Sequence, residues 1–230
     1  MWLYGPFDPL YLFLVLPALL FSLWAQYRVS SSFKKYSQVP TRRGLTGADA
    51  AARVLQAAGV RNVRVEPVAG NLTDHYDPKA NVIRLSDAVY GAGSVAAAGI
   101  AAHEAGHAAQ YASGYAFIKL RAAVIPITQF GSTLAMPLVL IGLVLDMTGL
   151  INAGILLFGA VVVFQLITLP VEFDASRRAV AVLSDSGLLS EEELPGAEKV
   201  LRAAALTYVA ALAVSLAQLL RLLSLSRRRR

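Results

Sequence analysis

The chain has 230 residues, no cysteine, 56% hydrophobic residues and only 16% charged ones, with a mean hydropathy of +0.55. That is too apolar for an ordinary soluble domain and points to a multi-spanning membrane protein with a modest polar portion; the missing cysteine excludes a disulfide framework and any thiolate metal site. The formal net charge of +6 and pI near 9.7 read as basic residues marking the cytoplasmic side of a membrane rather than as a nucleic-acid surface.

Residues 9–26 form an apolar run ending in Trp24 and Tyr27, with Arg28 just beyond. Trp and Tyr favour the membrane interface and Arg the water, so residues 1–27 are expected to be an N-terminal transmembrane anchor. A cleaved signal peptide is the weaker rival, because no basic residue precedes the run and no small-x-small site follows it.

The character then changes, and residues 28–121 hold twelve of the 21 Lys and Arg residues. Thr46 can cap a helix running to Ala58, with Gly59 as its stop. Residues 62–68 and 81–86 alternate apolar and polar as half-buried strands do, and the stretch 70–78 between them is rich in turn formers. The alanine-rich run 94–111 should be helical and contains Ala101-Ala102-His103-Glu104-Ala105-Gly106-His107-Ala108, an H-E-x-x-H motif. Four residues apart on a helix is one face, so His103 and His107 can share one metal ion. Glu104 stands beside them, where a carboxylate can take a proton from water activated by that metal. A small sheet packed over this helix is expected, with strand 62–68 or strand 81–86 pairing with an extended substrate backbone.

Residues 122–169 read as a transmembrane hairpin: an apolar run to Val144 interrupted by Pro126 and Pro137, a tight uncharged turn at 145–149, and a third span from Leu150. Residues 170–203 are polar again, and residues 204–230 combine an apolar helix with a tail ending in four arginines. The basic segment 28–121 places the motif on the cytoplasmic side and the turn near Asp146 outside. A fourth full crossing would carry the arginine tail outside, so either that rule is overridden or the last helix does not cross fully.

Catalytic zinc takes three protein ligands and keeps an open position. Gln110 and Ser113 stand where H-E-x-x-H-x-x-G-x-x-H would need Gly and His, so a downstream carboxylate is required. Asp146 lies across the membrane and Glu191, Glu192 and Glu193 look like a solvated helix start. Glu172, just past the third span, is left as the third ligand. That places the zinc near the cytoplasmic membrane surface. Asp174 or Ser176 could orient a ligand, or lie on a solvated face. Arg177 or Arg178 could stabilise an oxyanion, or anchor to lipid. His75 could act as a third ligand in place of Glu172, stabilise the oxyanion or shuttle a proton, or be a turn histidine bonded to Asp74 or Asp77. Tyr208 reads as packing at a helix end.

The segments Leu72-Thr73-Asp74-His75-Tyr76-Asp77-Pro78, Leu85-Ser86, Ala101 through Gln110, Leu169-Pro170-Val171-Glu172-Phe173-Asp174-Ala175-Ser176 and Ala204-Ala205-Leu206-Thr207-Tyr208-Val209-Ala210 resemble the YugP-like membrane zinc metallopeptidases of bacteria. The resemblance implies a multi-pass plasma-membrane zinc protease with His103, His107 and Glu172 as ligands and Glu104 as base. The chain is more distantly similar to HtpX-type and CAAX-prenyl membrane peptidases. Those carry Asp four residues after the ligand Glu, where this chain has Ser176.

The expected fold is thus a mostly α membrane protein, with about four transmembrane helices and a small zincin-like α+β catalytic domain. The expected function is zinc-dependent endopeptidase, one zinc per chain, acting on protein or peptide segments near the bilayer. One rival is intramembrane proteolysis, since Leu145-Asp146 faintly resembles the Leu-Asp-Gly motif of such enzymes. Another is a non-catalytic zinc scaffold or chaperone, against which Glu104 argues, because a structural site needs no base.

Overall fold

A computed structural model describes residues 9–227. Within them the chain forms two compact units. Four helices are long and apolar enough to cross a membrane: Tyr11–Ser37, Ala116–Val144, Thr148–Asp185 and Leu194–Arg227. The first enters through a π-helical turn and continues as α1 (Leu16–Ser37). The other three are α4 (Ala116–Val144), α5 (Thr148–Asp185) and α6 (Leu194–Arg227).

The first unit comprises Met1–Gln26, Leu120–Leu169 and Thr207–Arg230. Helices α4 and α5 approach closely at glycines: a Cβ on Gly154 would lie 2.6 Å from the Ala135 carbonyl oxygen, and one on Gly131 would lie 2.8 Å from that of Leu157. Small residues at such points are what let helix backbones pack where no water-driven force operates. Val139, Ile151, Ile155, Leu222 and Leu225 form the buried centre of this unit. Ser226 Oγ donates to Asn152 Oδ1 at 2.9 Å beside it. Phe130, Val144 and Leu156 stay exposed, as an outer face meeting lipid should be. Pro126 and Pro137 sit inside α4 without ending it. The side chains of Arg228, Arg229 and Arg230, part of the basic tail, lie outside the described residues.

The second unit comprises Tyr27–Lys119 and Pro170–Leu206. Helix α2 (Gly47–Ala57) starts at a reciprocal Thr46–Asp49 capping box; hydrogen bonds from the Thr46 hydroxyl and backbone N–H hold the Asp49 carboxyl below its usual range. Such a box satisfies two otherwise orphaned donors. The strands are β1 (Arg64–Val68), β2 (His75–Asp77) and β3 (Val82–Ser86), in the order β1-β3-β2. β1 runs parallel to β3 and β2 antiparallel to it. The stretch read from sequence as turn formers therefore contains a strand.

Asp74 and Asp77 explain how so short a strand holds. Asp74 accepts from the Ser86 N–H at 2.8 Å and the Ser86 hydroxyl at 3.1 Å. Asp77 accepts from the N–H groups of Lys79 and Ala80, closing the turn, and from Arg84 Nη1 at 3.0 Å. Both carboxylates pin β2 to β3, with β3 at the centre paired on both sides.

Helix α3 (Val95–Ala112), capped by Ser94, runs through the core. Its composition follows from its neighbours. A Cβ on Gly106 would lie 2.5 Å from the Ala175 carbonyl oxygen of α5, and one on Gly99 3.3 Å from Ala197 Cβ of α6. Only small residues allow those backbones so near. Ile83, Leu85, Val54, Val95 and Leu183 complete the core. At the start of α6, Glu193 is 7% exposed, not a solvated helix start as its sequence context suggests. It accepts from the N–H groups of Arg42 and Ser190, each at 2.6 Å. Burial pushes its carboxyl up, but these bonds outweigh it and hold it below the usual range.

Candidate metal centre

Helical spacing puts His103 and His107 on one face of α3, their rings 4.6 Å apart between centroids and steeply inclined. Glu172 reaches the same point from α5. Its Oε2 lies 3.3 Å from His103 Nε2 and 3.5 Å from His107 Nε2. The three ligand atoms all lie within 4.8 Å of one another, and the described residues contain no second group of this kind. Four ligands about 2.1 Å from a tetrahedral zinc are about 3.4 Å from each other. The spacing of the carboxylate oxygen from the two nitrogens is that of a zinc site's edges.

The chemistry of the donors agrees. Both histidines have Nδ1 engaged elsewhere, that of His103 with Ser176 Oγ at 3.0 Å and that of His107 with Gln110 Oε1 at 3.1 Å. Their Nε2 atoms are thereby aimed at Glu172. Glu172 is itself buried, its Oε2 facing both imidazole Nε2 atoms. A carboxylate and two imidazoles, nearly buried, are a donor set suited to zinc.

Glu104, next to His103 on α3, accepts from the Tyr76 N–H of β2 at 3.0 Å. The strand that touches the motif glutamate is therefore β2, which alternation did not announce, while Ile83 and Leu85 of β3 share the core with α3. Tyr76 also packs edge-on against Tyr111, ring centroids 5.6 Å apart.

The remaining sequence-derived candidates fall as follows. Ser176 meets His103 as above. Asp174 reaches His107 only through Gln110, whose Nε2 donates to Asp174 Oδ2 at 3.0 Å and to the Val171 carbonyl at 2.8 Å. Arg177 and Arg178 both bind Asp174 rather than the cluster, and Arg178 also covers the Tyr115 ring. Burial favours the neutral form of Asp174, but bonds from Gln110, Arg178 and Arg177 keep its carboxyl below the usual range. His75 is exposed, outside the cluster, with Nδ1 2.7 Å from the Thr73 carbonyl oxygen rather than bonded to Asp74 or Asp77. Asp146 lies in the turn after α4 with a φ of 54°.

Two participants escape sequence reasoning. Gln110, fully buried, carried one signal, a lone amide three residues after His107 in an alanine-rich helix. The Tyr76 N–H carried none.

A helix bearing His-Glu-x-x-His, a glutamate from a second helix and a small sheet whose edge touches the motif glutamate define a zincin-like zinc peptidase. The chain belongs to the family described as "Putative neutral zinc metallopeptidase", whose model matches residues 11–227. It is also 50% identical over 212 residues to the "Putative membrane protease YugP" of Bacillus subtilis (strain 168), a match covering 92% of this chain and 94% of that one. No solved structure matches the chain significantly. The protein is thus a membrane zinc metallopeptidase, a hydrolase with four candidate spans.

Proposed function

We propose that the protein is a zinc-dependent endopeptidase that hydrolyses peptide bonds near the cytoplasmic membrane surface. One zinc per chain would be held by His103, His107 and Glu172, with Glu104 as general base. The observation that supports this reading best is one carboxylate oxygen at tetrahedral-edge spacing from each of two imidazole Nε2 atoms, one residue from a second carboxylate. Zinc, when bound, supplies a Lewis acid that makes water a nucleophile near neutral pH.

The chain's own residues do the rest. Glu104 takes the proton of the attacking water and returns it to the leaving amine. The Tyr76 N–H donates to Glu104 Oε2, which keeps the base beside His103. Backbone groups on the free edge of β2, the edge strand that touches Glu104, can bond an extended substrate backbone. The expected preparation hydrolyses unfolded casein, loses turnover on chelation and regains it with one equivalent of zinc. Full turnover in chelator, with zinc absent by elemental analysis, would overturn the reading.

The orientation rests on the cationic residues 28–121. The chain has no cysteine, so single introduced thiols report sidedness directly. In intact cells a membrane-impermeant maleimide should label Met147→Cys, in the turn between α4 and α5, and spare Ala80→Cys, in the loop before β3, until the membrane is opened. The reverse pattern would place the site outside.

A further inference from the structure

Gln110 is wholly buried and its carboxamide has only one workable orientation. Nε2 sits 2.8 Å from the Val171 carbonyl oxygen and 3.0 Å from Asp174 Oδ2. A carbonyl and a carboxylate only accept, so the nitrogen, with its two donors, must face α5. Turning the amide over would set oxygen against both. The carboxamide oxygen therefore faces His107 Nδ1 at 3.1 Å. Because that oxygen only accepts, Nδ1 must carry the proton, and the Nε2 lone pair points toward Glu172.

His103 lacks this constraint, because the Ser176 hydroxyl at its Nδ1 can donate or accept. Asp174, which sets the amide, is itself held by Arg177 and by Arg178 Nε at 2.6 Å. A chain of fixed polarity thus runs from Arg178 through Asp174 and Gln110 to His107.

We propose that Gln110 is a positioning residue that imposes the metal-binding tautomer on His107 and ties α3 to α5, with Asp174 directing its carboxamide. This rests on His107 and Glu172 being metal ligands, as proposed above. Outer partners of ligating histidines commonly matter for affinity by about 10–100-fold.

The test is zinc affinity of the purified full-length protein, measured by competition with a chromophoric chelator, beside the melting temperature of the zinc-free form. Gln110→Met is of similar size and removes all three hydrogen bonds; it should weaken zinc binding about 10–100-fold while the zinc-free protein still melts above the assay temperature. The double variant Gln110→Glu/Asp174→Asn keeps the net charge, again gives His107 Nδ1 an acceptor, and should recover at least about tenfold of that loss. Zinc binding within about twofold of wild type in Gln110→Met, well below that range, or a double variant as weak as the single one, would overturn the proposal. If Gln110→Met fails to fold, the double variant decides alone: affinity within about tenfold of wild type supports the proposal and weaker binding sinks it. His107→Ala, run alongside, separates the two layers. Undiminished zinc binding there would remove the ligand assignment itself, whereas a zinc-free His107→Ala beside a normal Gln110→Met would remove only the role of Gln110.

Discussion

Glu104→Gln should abolish most peptide turnover, by roughly 10²–10⁴-fold, and leave zinc content and melting behaviour as in the wild type. The substitution is nearly isosteric. A glutamine at position 104 still offers a carbonyl oxygen to the Tyr76 N–H, so the bond at 3.0 Å and the packing of β2 on α3 survive. What disappears is the lone pair of a carboxylate basic enough to take a proton from water. His103, His107 and Glu172 are untouched, and the metal should stay. A variant keeping more than about a tenth of wild-type turnover, outside the range for general-base loss, would show that another group moves the proton. It would also reopen the reading of a site that holds zinc without using it.

Glu172→Ala should remove the metal itself. Two histidines on one helix leave two positions of a tetrahedral ion without protein ligands. The loss of affinity should exceed the roughly 10–100-fold that removal of an outer partner costs. Alanine is a strong helix former, and position 172 lies inside α5 between Val171 and the Ala175 turn that packs on Gly106. The helix should persist, so a melting curve of the zinc-free protein can tell loss of ligand from loss of fold. Retention of one zinc per chain would require another donor. His75, the remaining histidine, is exposed on β2 with its Nδ1 on the Thr73 carbonyl, so β2 would have to rearrange.

The contrast between these variants separates catalysis from metal retention. Glu104 and Glu172 are both carboxylates near the same histidines, but their surroundings differ. Glu172 is 2% exposed, its Oε2 facing two imidazole nitrogens, so its place is inside the cluster. Glu104 receives a single backbone N–H from the sheet and is partly exposed, an arrangement that leaves a carboxylate lone pair for a proton in transit.

The sequence by itself determined what local periodicity encodes. The i, i+4 spacing of His103 and His107 needs only a helix to put both on one face, and the Thr46 cap and Gly59 mark α2 without reference to the rest of the chain. The four apolar runs likewise announce helices able to cross a membrane, because length and hydropathy are additive along the chain. Glu172 was reachable by elimination among the acidic residues, but nothing local brings it to α3; Gly106 does so, by letting the α5 backbone close on it. The strand β2 was hidden because its stability comes from Asp74 and Asp77 bonding to β3 and its turn, not from alternation. Gln110, the Tyr76 N–H and the buried Glu193 were hidden for the same reason. Their partners lie 61, 28 and 151 positions away in sequence, and a hydrogen bond across that separation is decided by how the elements pack. Ligand spacing is a property of one helix, whereas the orientation and polarity of each ligand belong to its neighbours.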